Sequence, residues 1–120
     1  AKVGFFRADF DYGHPVKQVE GEHDVFGDGS VVCIPTYGHT PGHQSLRVRT
    51  ENGEVVLTGD ACYFCRTLRE RRLPRFVYDR EEMLKSLDRL EALEKGGATL
   101  FFGHDPDFWK SVPQAPVPAF

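Results

Sequence analysis

LTGD at residues 57–60 decides the fold, together with two similar segments, GHTPGH at 38–43 and FFGHD at 101–105. In each segment a His or an Asp stands beside a glycine, next to an apolar run that is typical of a β-strand. Side chains at neighbouring strand ends can converge on one edge of a sheet, where loops on a rigid scaffold carry functional groups. The three segments therefore predict a single site at one sheet edge.

His39, Asp60 and His104 are the candidate metal ligands of this site. Neutral imidazole nitrogen and carboxylate oxygen suit zinc, manganese and iron, and a bridging carboxylate can hold two ions about 3.5–4 Å apart. The neighbouring glycines allow sharp turns and leave room for an ion. A single His in a loop is more often structural, but three such segments in this order indicate a metal site.

Length and composition describe one small domain with a fairly thin core, since the chain has 120 residues. The net charge of −3 argues against nucleic acid or an anionic membrane as a partner. No apolar run approaches the roughly 20 residues of a membrane helix, and we expect no signal peptide. Three cysteines without disulfide spacing (Cys33, Cys62 and Cys65) lead us to expect free thiols and a cytoplasmic location.

The order of the expected elements predicts an α+β fold, in which one long helix covers a face of a β-sheet. Strands are predicted at residues 30–37, 44–50, 55–57 and 99–102, with tight turns at 27–30 and 51–54. In the second strand, Leu46 and Val48 share one face and the arginines at 47 and 49 share the other, which is typical of a half-buried strand. Residues 1–15 are expected to be irregular or to contain a short helical remnant.

The helix is predicted at residues 79–95, where apolar side chains recur at helical spacing. Asp79 can cap its N-terminus, and Glu82 completes a capping-box pattern. Two glycines at 96 and 97 supply a C-terminal stop. The prolines of the last segment, residues 112–120, exclude regular hydrogen-bonded structure and predict an extended tail.

GHTPGHQSL at 38–46, LTGDACY at 57–63 and FFGHD at 101–105 resemble the later motifs of the metallo-β-lactamase superfamily, and within it those of N-acyl homoserine lactone lactonases. The resemblance runs from about Tyr12 to His104 and includes the 44-residue separation of Asp60 and His104. It implies the αβ/βα sandwich of that superfamily. Residues 1–120 would be the C-terminal portion, a β-sheet layer with outer helices.

The resemblance also implies a role for each site residue. His39 would bind the first of two divalent metal ions and His104 the second, while Asp60 would bridge them. His43 would support the site without binding metal, and Tyr63 would hydrogen-bond the substrate carbonyl or oxyanion. The implied activity is a metal-dependent hydrolase that opens a lactone by metal-bound hydroxide, with zinc as the expected metal and manganese or iron as alternatives.

One motif of the superfamily, His-x-His-x-Asp-His, is absent from this sequence, and neither His14 nor His23 replaces it. Since catalytic zinc sites usually have three protein ligands, we expect metal binding by this chain alone to be weak. We expect a partner for the open sheet, either a missing N-terminal half or a second copy. The alternatives are another ester, thioester or phosphoester hydrolase of the superfamily, and an inactive fragment or interaction domain.

Two weaker patterns are given structural interpretations. Cys62-Tyr63-Phe64-Cys65 is a C-x-x-C sequence, but it has no second pair, so coincidence is favoured over redox chemistry or half of a zinc site. The arginines at positions 66, 69, 71, 72 and 75 could attract an anion. A solvated loop or short helix is favoured there, because the chain as a whole is acidic.

Overall fold

The structure is a computed structural model, and it describes residues 6–120. Its strands are β1 (His23–Asp24), β2 (Val31–Pro35), β3 (Gln44–Thr50), β4 (Gly53–Leu57) and β5 (Thr99–Phe101). Its α-helices are α1 (Cys65–Glu70), α2 (Arg80–Lys95) and α3 (Pro106–Ser111), and single 3₁₀ turns occur at Arg7–Asp9 and Gly59–Ala61. The element order confirms the α+β class.

The strands form one sheet in the order β1-β2-β3-β4-β5. The first four strands pair antiparallel, whereas β5 pairs parallel to β4 after the crossover through α1 and α2. The ends of β4 and β5 therefore lie at the same edge of the sheet. The segments that follow these two strands carry Asp60 and His104, so the topology brings both to that edge, as the sequence predicted.

Helix α2 covers one face of the sheet and forms the core with it. Asp79 caps the helix by accepting a hydrogen bond from the Glu82 backbone N–H at 3.0 Å. Leu87 and Leu90 are fully buried and pack in one cluster with Ile34, Val56 and other apolar side chains of β2, β4 and β5. Burial of these side chains, and not helix propensity alone, holds α2 on the sheet.

The buried face of β3 is the one that carries Ser45, not the one that carries Leu46 and Val48. Register places Ser45 opposite Ile34 on the face under α2, and Ser45 is 1% exposed. Leu46 and Val48 are half-buried on the opposite face, beside Leu57, which is 42% exposed. The alternation was predicted correctly, but apolar character did not identify the face on which the helix packs.

Helix α3 was not predicted, and α1 lies where the arginine stretch indicated a loop or a short helix. Residues 112–120 contain turns without a helix or strand. The part of the expected irregular N-terminal segment that the structure describes holds only the turn Arg7–Asp9, and residues 1–5 lie outside the described residues. No helix within residues 6–120 has the length and apolar character needed to cross a membrane.

Gly38 is expected to be the glycine least tolerant of a side chain. Its φ is +124°, and a Cβ atom would lie 2.3 Å from the Met83 backbone nitrogen in the first turn of α2. Gly38→Ala should lower the free energy of unfolding by about 3 kcal/mol, because overpacking and left-handed strain add. Urea unfolding measures the change. Gly42→Ala is the matched control, since nothing lies within 4 Å of the point that its methyl group would occupy; equal effects would contradict this packing.

Candidate metal centre

Asp60 lies between the two imidazoles that the sequence singled out. His39 Nε2 is 3.3 Å from Asp60 Oδ2, and His104 Nε2 is 2.8 Å from Asp60 Oδ1. Each imidazole thus faces a different oxygen of one carboxylate. The His39 side chain is 24% exposed, Asp60 is 42% exposed and His104 is 58% exposed, so the centre is open to solvent on the His104 side.

The donor set fits part of a two-metal site. Two ligands about 2.1 Å from a tetrahedral zinc ion lie about 3.4 Å apart. The separation of 3.3 Å between His39 and Asp60 matches this value, whereas the 2.8 Å contact with His104 has to open by about half an ångström. One carboxylate with an imidazole at each oxygen is the arrangement that a bridging ligand requires.

The number of donors is smaller than a closed metal site needs. Within residues 6–120, no group of three or more His, Cys, Asp or Glu side chains surrounds a common point suited to an ion. If Asp60 bridged two ions, each ion would receive one imidazole and one carboxylate oxygen from the described residues. Further ligands would be needed to complete either ion's coordination.

Two glycines allow the segments after β4 and β5 to approach closely. A Cβ atom on Gly103 would lie 2.6 Å from the Gly59 carbonyl oxygen. Gly59 has a φ of +56°, and its own Cβ position lies 3.1 Å from His43 Nε2. The backbone N–H of Gly103 donates to Cys62 O at 3.3 Å, and that of His104 donates to Tyr63 O at 2.9 Å. These hydrogen bonds hold the Asp60 and His104 segments together.

Asp105 fastens the same two segments to the helices that follow them. Its carboxylate accepts from the backbone N–H groups of Asp107 and Phe108 at the start of α3, both at 3.1 Å. It also accepts from the N–H of Cys65, the first residue of α1, at 2.9 Å. These backbone hydrogen bonds, that of Phe108 foremost, lower the pKa of Asp105 below its ordinary value. One buried carboxylate therefore caps α3 and ties it to α1.

Tyr63 lies against both imidazoles. Its ring is edge-on to the His104 ring at 4.6 Å and to the His39 ring at 5.7 Å between centroids. Its hydroxyl is 3.5 Å from His39 Nδ1, at the outer limit of a hydrogen bond. Burial and the negative charge of Asp60 raise the pKa of Tyr63 above its ordinary value. The phenol therefore keeps its proton at neutral pH and can donate it in a hydrogen bond.

His43 lies beneath the centre and contacts the Asp60 backbone, not its carboxylate. His43 Nε2 is 3.0 Å from the Asp60 backbone N, and Nδ1 is 2.9 Å from Thr36 Oγ1. Burial, followed by the neighbouring His39, lowers the pKa of His43. The position of His43 is therefore that of a supporting side chain, while its role in the working protein stays a prediction.

A cavity of about 640 Å³ opens beside Tyr63. Phe64, Leu73, Pro74 and Pro106 give it a mainly apolar lining, with Arg66 and Arg72 also at its wall. Tyr63 belongs both to this cavity and to the group around Asp60. An apolar substituent of a bound molecule could therefore occupy the cavity while a polar group lies at the metal centre.

The cysteines of the C-x-x-C sequence are free thiols with different surroundings. Cys62 is fully buried, and its thiol donates to Phe64 O at 3.3 Å. Burial raises the pKa of Cys62 to about 12. A redox-active cysteine needs a lowered pKa, so the surroundings of Cys62 argue against redox chemistry at the C-x-x-C sequence.

Most of the basic side chains of residues 66–75 have carboxylate partners. Arg69 forms a bidentate pair with Glu94 at 2.6 and 2.7 Å, and Arg71 contacts Glu91 at 3.0 Å. Arg66 and Arg72 both pair with Glu70, and Arg75 lies over the Phe76 ring. The stretch joins α1 and its following loop to α2, which agrees with the structural interpretation.

Comparison with known proteins identifies the family. The sequence profile of the metallo-beta-lactamase superfamily matches residues 3–104. The chain belongs to this superfamily. The match confirms the resemblance drawn from the three segments and the fold class that it implied.

Curated relatives of the chain are named N-acyl homoserine lactonases. One from Azorhizobium caulinodans, AttM, is 37% identical over 94% of this chain and 46% of its own length. AttM from Rhizobium radiobacter is 40% identical over the same shares. AiiA from Bacillus thuringiensis subsp. kurstaki is 40% identical over 79% of this chain and 38% of its own length. The chain thus spans less than half the length of these relatives.

Solved structures extend the comparison to three dimensions. An N-acyl homoserine lactone hydrolase with N-hexanoyl-L-homoserine bound at its catalytic metal centre superposes with a TM-score of 0.74. It is 39% identical, and the match covers 84% of this chain and 40% of that chain. A variant of AiiA from B. thuringiensis with bound N-decanoyl-L-homoserine gives the same values. The superposition confirms the metallo-β-lactamase-like fold.

Sequence reasoning missed three residues that build this site. Asp105 belongs to the FFGHD motif and had no predicted role, although Asp followed by Pro is a typical helix start. Thr36 directly follows β2 and is 0% exposed, and Ser45 is the second residue of β3 and is 1% exposed. A buried hydroxyl needs a hydrogen-bond partner. The sequence carried no signal for Ser45, because the alternation in β3 indicated the Leu46 face as the buried one.

Asp105→Ala is expected to lower the free energy of unfolding by about 2–3 kcal/mol, because α3 loses its cap and the Cys65 N–H loses its acceptor. The folded pKa of Asp105 is depressed, so its contribution is present above the ordinary value of 3.8 and is lost as the pH falls through the folded value. The difference between wild type and variant should therefore narrow below about pH 4. Asp107→Ala, whose carboxylate is 88% exposed, is the control. An equal decrease in the free energy of unfolding in both variants would contradict the role of Asp105.

Cys62 is expected to resist alkylation in the folded protein. Raising its pKa from 9.0 to about 12 reduces the thiolate share at pH 8 about a thousandfold, and burial also excludes the reagent. Iodoacetamide labelling followed by peptide mass spectrometry should modify Cys62 only after unfolding in urea. Labelling of Cys62 in the folded protein as fast as that of Cys33 would contradict the described surroundings.

Proposed function

We propose that the protein carrying this chain is a metal-dependent hydrolase that opens a lactone of the N-acyl homoserine lactone type. The observation that supports this most is the Asp60 carboxylate, which offers a different oxygen to His39 and to His104. The curated relatives named as N-acyl homoserine lactonases agree with the same reaction class. We propose this activity for the whole protein, since the chain spans less than half the length of these relatives.

In the proposed centre His39 would hold one ion, His104 would hold the other, and Asp60 would be shared between them. Two bound divalent ions, with zinc as our first choice, would polarise the carbonyl and lower the pKa of a water molecule. The imidazoles present Nε2 toward the carboxylate, so their donor atoms already point into the centre. The segments that hold these side chains are fixed by the hydrogen bonds between residues 62–63 and 103–104.

Tyr63 is proposed to donate a hydrogen bond to the carbonyl oxygen as negative charge develops on it. The phenol lies beside both imidazoles, and its raised pKa keeps the proton in place. A donor aimed at the developing charge stabilises the transition state more than the ground state. The proton for the leaving group is not assigned to a described residue.

The cavity beside Tyr63 is proposed to receive the apolar acyl substituent of the lactone. Its volume of about 640 Å³ and its mainly apolar lining suit a hydrocarbon chain. This favours a lactone with an acyl group over a small polar ester. Tyr63 borders both the cavity and the metal centre, so it would contact the acyl substituent and the carbonyl of the same bound molecule.

The open face of the sheet is proposed to be covered in the working protein. Leu57 is 42% exposed there, and Leu46, Val48 and Phe101 are only half-buried. An apolar surface of this kind is normally packed against another layer. The remaining part of the fold or a second copy of the chain could supply that layer.

The free thiols of Cys33, Cys62 and Cys65 suit a reducing compartment, and we propose the cytoplasm.

Tyr63→Phe is expected to lower kcat for N-hexanoyl-homoserine lactone about a hundredfold, because one oxyanion donor is lost. The assay uses the zinc-loaded protein as its gene encodes it. It titrates the carboxylic acid that forms when the lactone ring opens. Tyr78→Phe is the matched control, since Tyr78 is 72% exposed and lies outside the centre, and it should leave kcat unchanged. Unchanged turnover in Tyr63→Phe would remove that assignment. Absence of ring opening by the zinc-loaded wild type would overturn the lactonase proposal.

A further inference from the structure

Five polar groups are joined by four hydrogen bonds in a continuous row that begins at the Asp60 backbone. The row runs from the Asp60 backbone N to His43 Nε2 at 3.0 Å, and from His43 Nδ1 to Thr36 Oγ1 at 2.9 Å. It continues from Thr36 Oγ1 to Ser45 Oγ at 2.8 Å, and from Ser45 Oγ to the Thr58 carbonyl oxygen at 2.9 Å. Thr36, Ser45 and Thr58 are at most 1% exposed, so solvent does not supply alternative partners.

The two ends of the row determine the direction of every hydrogen bond in it. The backbone N–H of Asp60 can only donate, so His43 Nε2 must accept and carries no hydrogen. The ring must then carry its hydrogen on Nδ1, which donates to Thr36 Oγ1. At the other end the Thr58 carbonyl can only accept, so Ser45 donates to it and accepts from Thr36. A single pattern satisfies all four bonds.

The row connects the ends of three strands to the residue proposed to bridge the metals. Thr36 follows β2, Ser45 lies in β3 and Thr58 follows β4, and all three belong to the sheet face under α2. The Thr36 backbone N–H also donates to His43 O at 3.0 Å, which fixes the start of β3. The first bond of the row, from the Asp60 N–H to His43, holds the Asp60 backbone against these strand ends.

We propose that Thr36 and Ser45 are positioning residues that hold His43 as its Nδ1–H tautomer and thereby fix the Asp60 backbone beneath the metal centre. The proposal rests on the proposed function in taking Asp60 as a metal ligand. The hydroxyls act through His43 and touch neither metal nor substrate. An apolar residue at position 36 would leave the Nδ1–H of His43 without its acceptor. An apolar residue at position 45 would free the Thr36 hydroxyl to donate to Nδ1. Either change favours the Nε2–H tautomer, which cannot accept from the Asp60 N–H.

Nitrogen-15 NMR of the His43 ring tests the proposal in metal-free protein without substrate. Wild type should show a protonated Nδ1 and an unprotonated Nε2 in a single tautomer. Thr36→Val should give a mixture that includes the Nε2–H tautomer, and the exchange rate of the Asp60 amide should rise about tenfold. Thr36→Ser keeps a hydroxyl and should restore both wild-type signals.

Ser45→Ala provides a second variant, because it removes the acceptor of the Thr36 hydroxyl and should broaden the tautomer population in the same way. Ser86→Ala is the matched control: Ser86 is also a buried serine, and it donates to Tyr37 O at 2.6 Å outside the row. It should leave the His43 tautomer and the Asp60 exchange rate unchanged. If Thr36→Val does not fold, Ser45→Ala alone decides.

Two results would overturn the proposal: an Nε2–H tautomer of His43 in wild type, or wild-type ring signals and Asp60 exchange in the hydroxyl-free variants. Neither measurement uses activity or metal. A failed lactonase assay with the expected His43 signals would therefore count against the proposed function alone, and the reverse pattern would count against the positioning role alone.

Discussion

The close approach of two loop backbones, at Gly59 after β4 and Gly103 after β5, is the constraint on which the centre depends. A methyl group on Gly103 would lie 2.6 Å from the Gly59 carbonyl, so a larger residue would push the loops apart. With glycine at both positions, hydrogen bonds from residues 103 and 104 reach residues 62 and 63. Asp60 and His104 are thereby held 2.8 Å apart, although 44 residues separate them in the sequence.

The apolar core and the buried polar groups both maintain this close approach, the first by packing and the second by directional hydrogen bonds. Packing of α2 against Ile34, Val56 and Leu100 sets the spacing of the strands, and this packing is not directional. Directional control comes from hydrogen bonds: Asp105 ties the β5 segment to two helices, and His43 contacts the Asp60 amide. A buried polar group that loses its partner is costly, so such groups specify one arrangement more sharply than apolar packing does.

The sequence predicted α2 and the strands at 44–50 and 99–101 closely, because helical spacing, alternation and glycine stops are local signals. It also singled out His39, Asp60 and His104, which the fold brings together. It did not predict which face of β3 is buried. That face is chosen by where α2 packs, a tertiary effect that the alternation of Leu46 and Arg47 does not contain. The roles of Thr36 and Ser45 were also hidden, because they depend on contacts between strands.

The proposed function depends most on Asp60, which is proposed to bridge two metal ions with His39 on one and His104 on the other. Anomalous X-ray diffraction from zinc-loaded crystals of the protein as its gene encodes it tests this claim most directly. The account predicts two zinc peaks about 3.5–4 Å apart, each within coordination distance of Asp60 and of one of these imidazoles. A single zinc bound by both imidazoles, or zinc ions that do not contact Asp60, would contradict it.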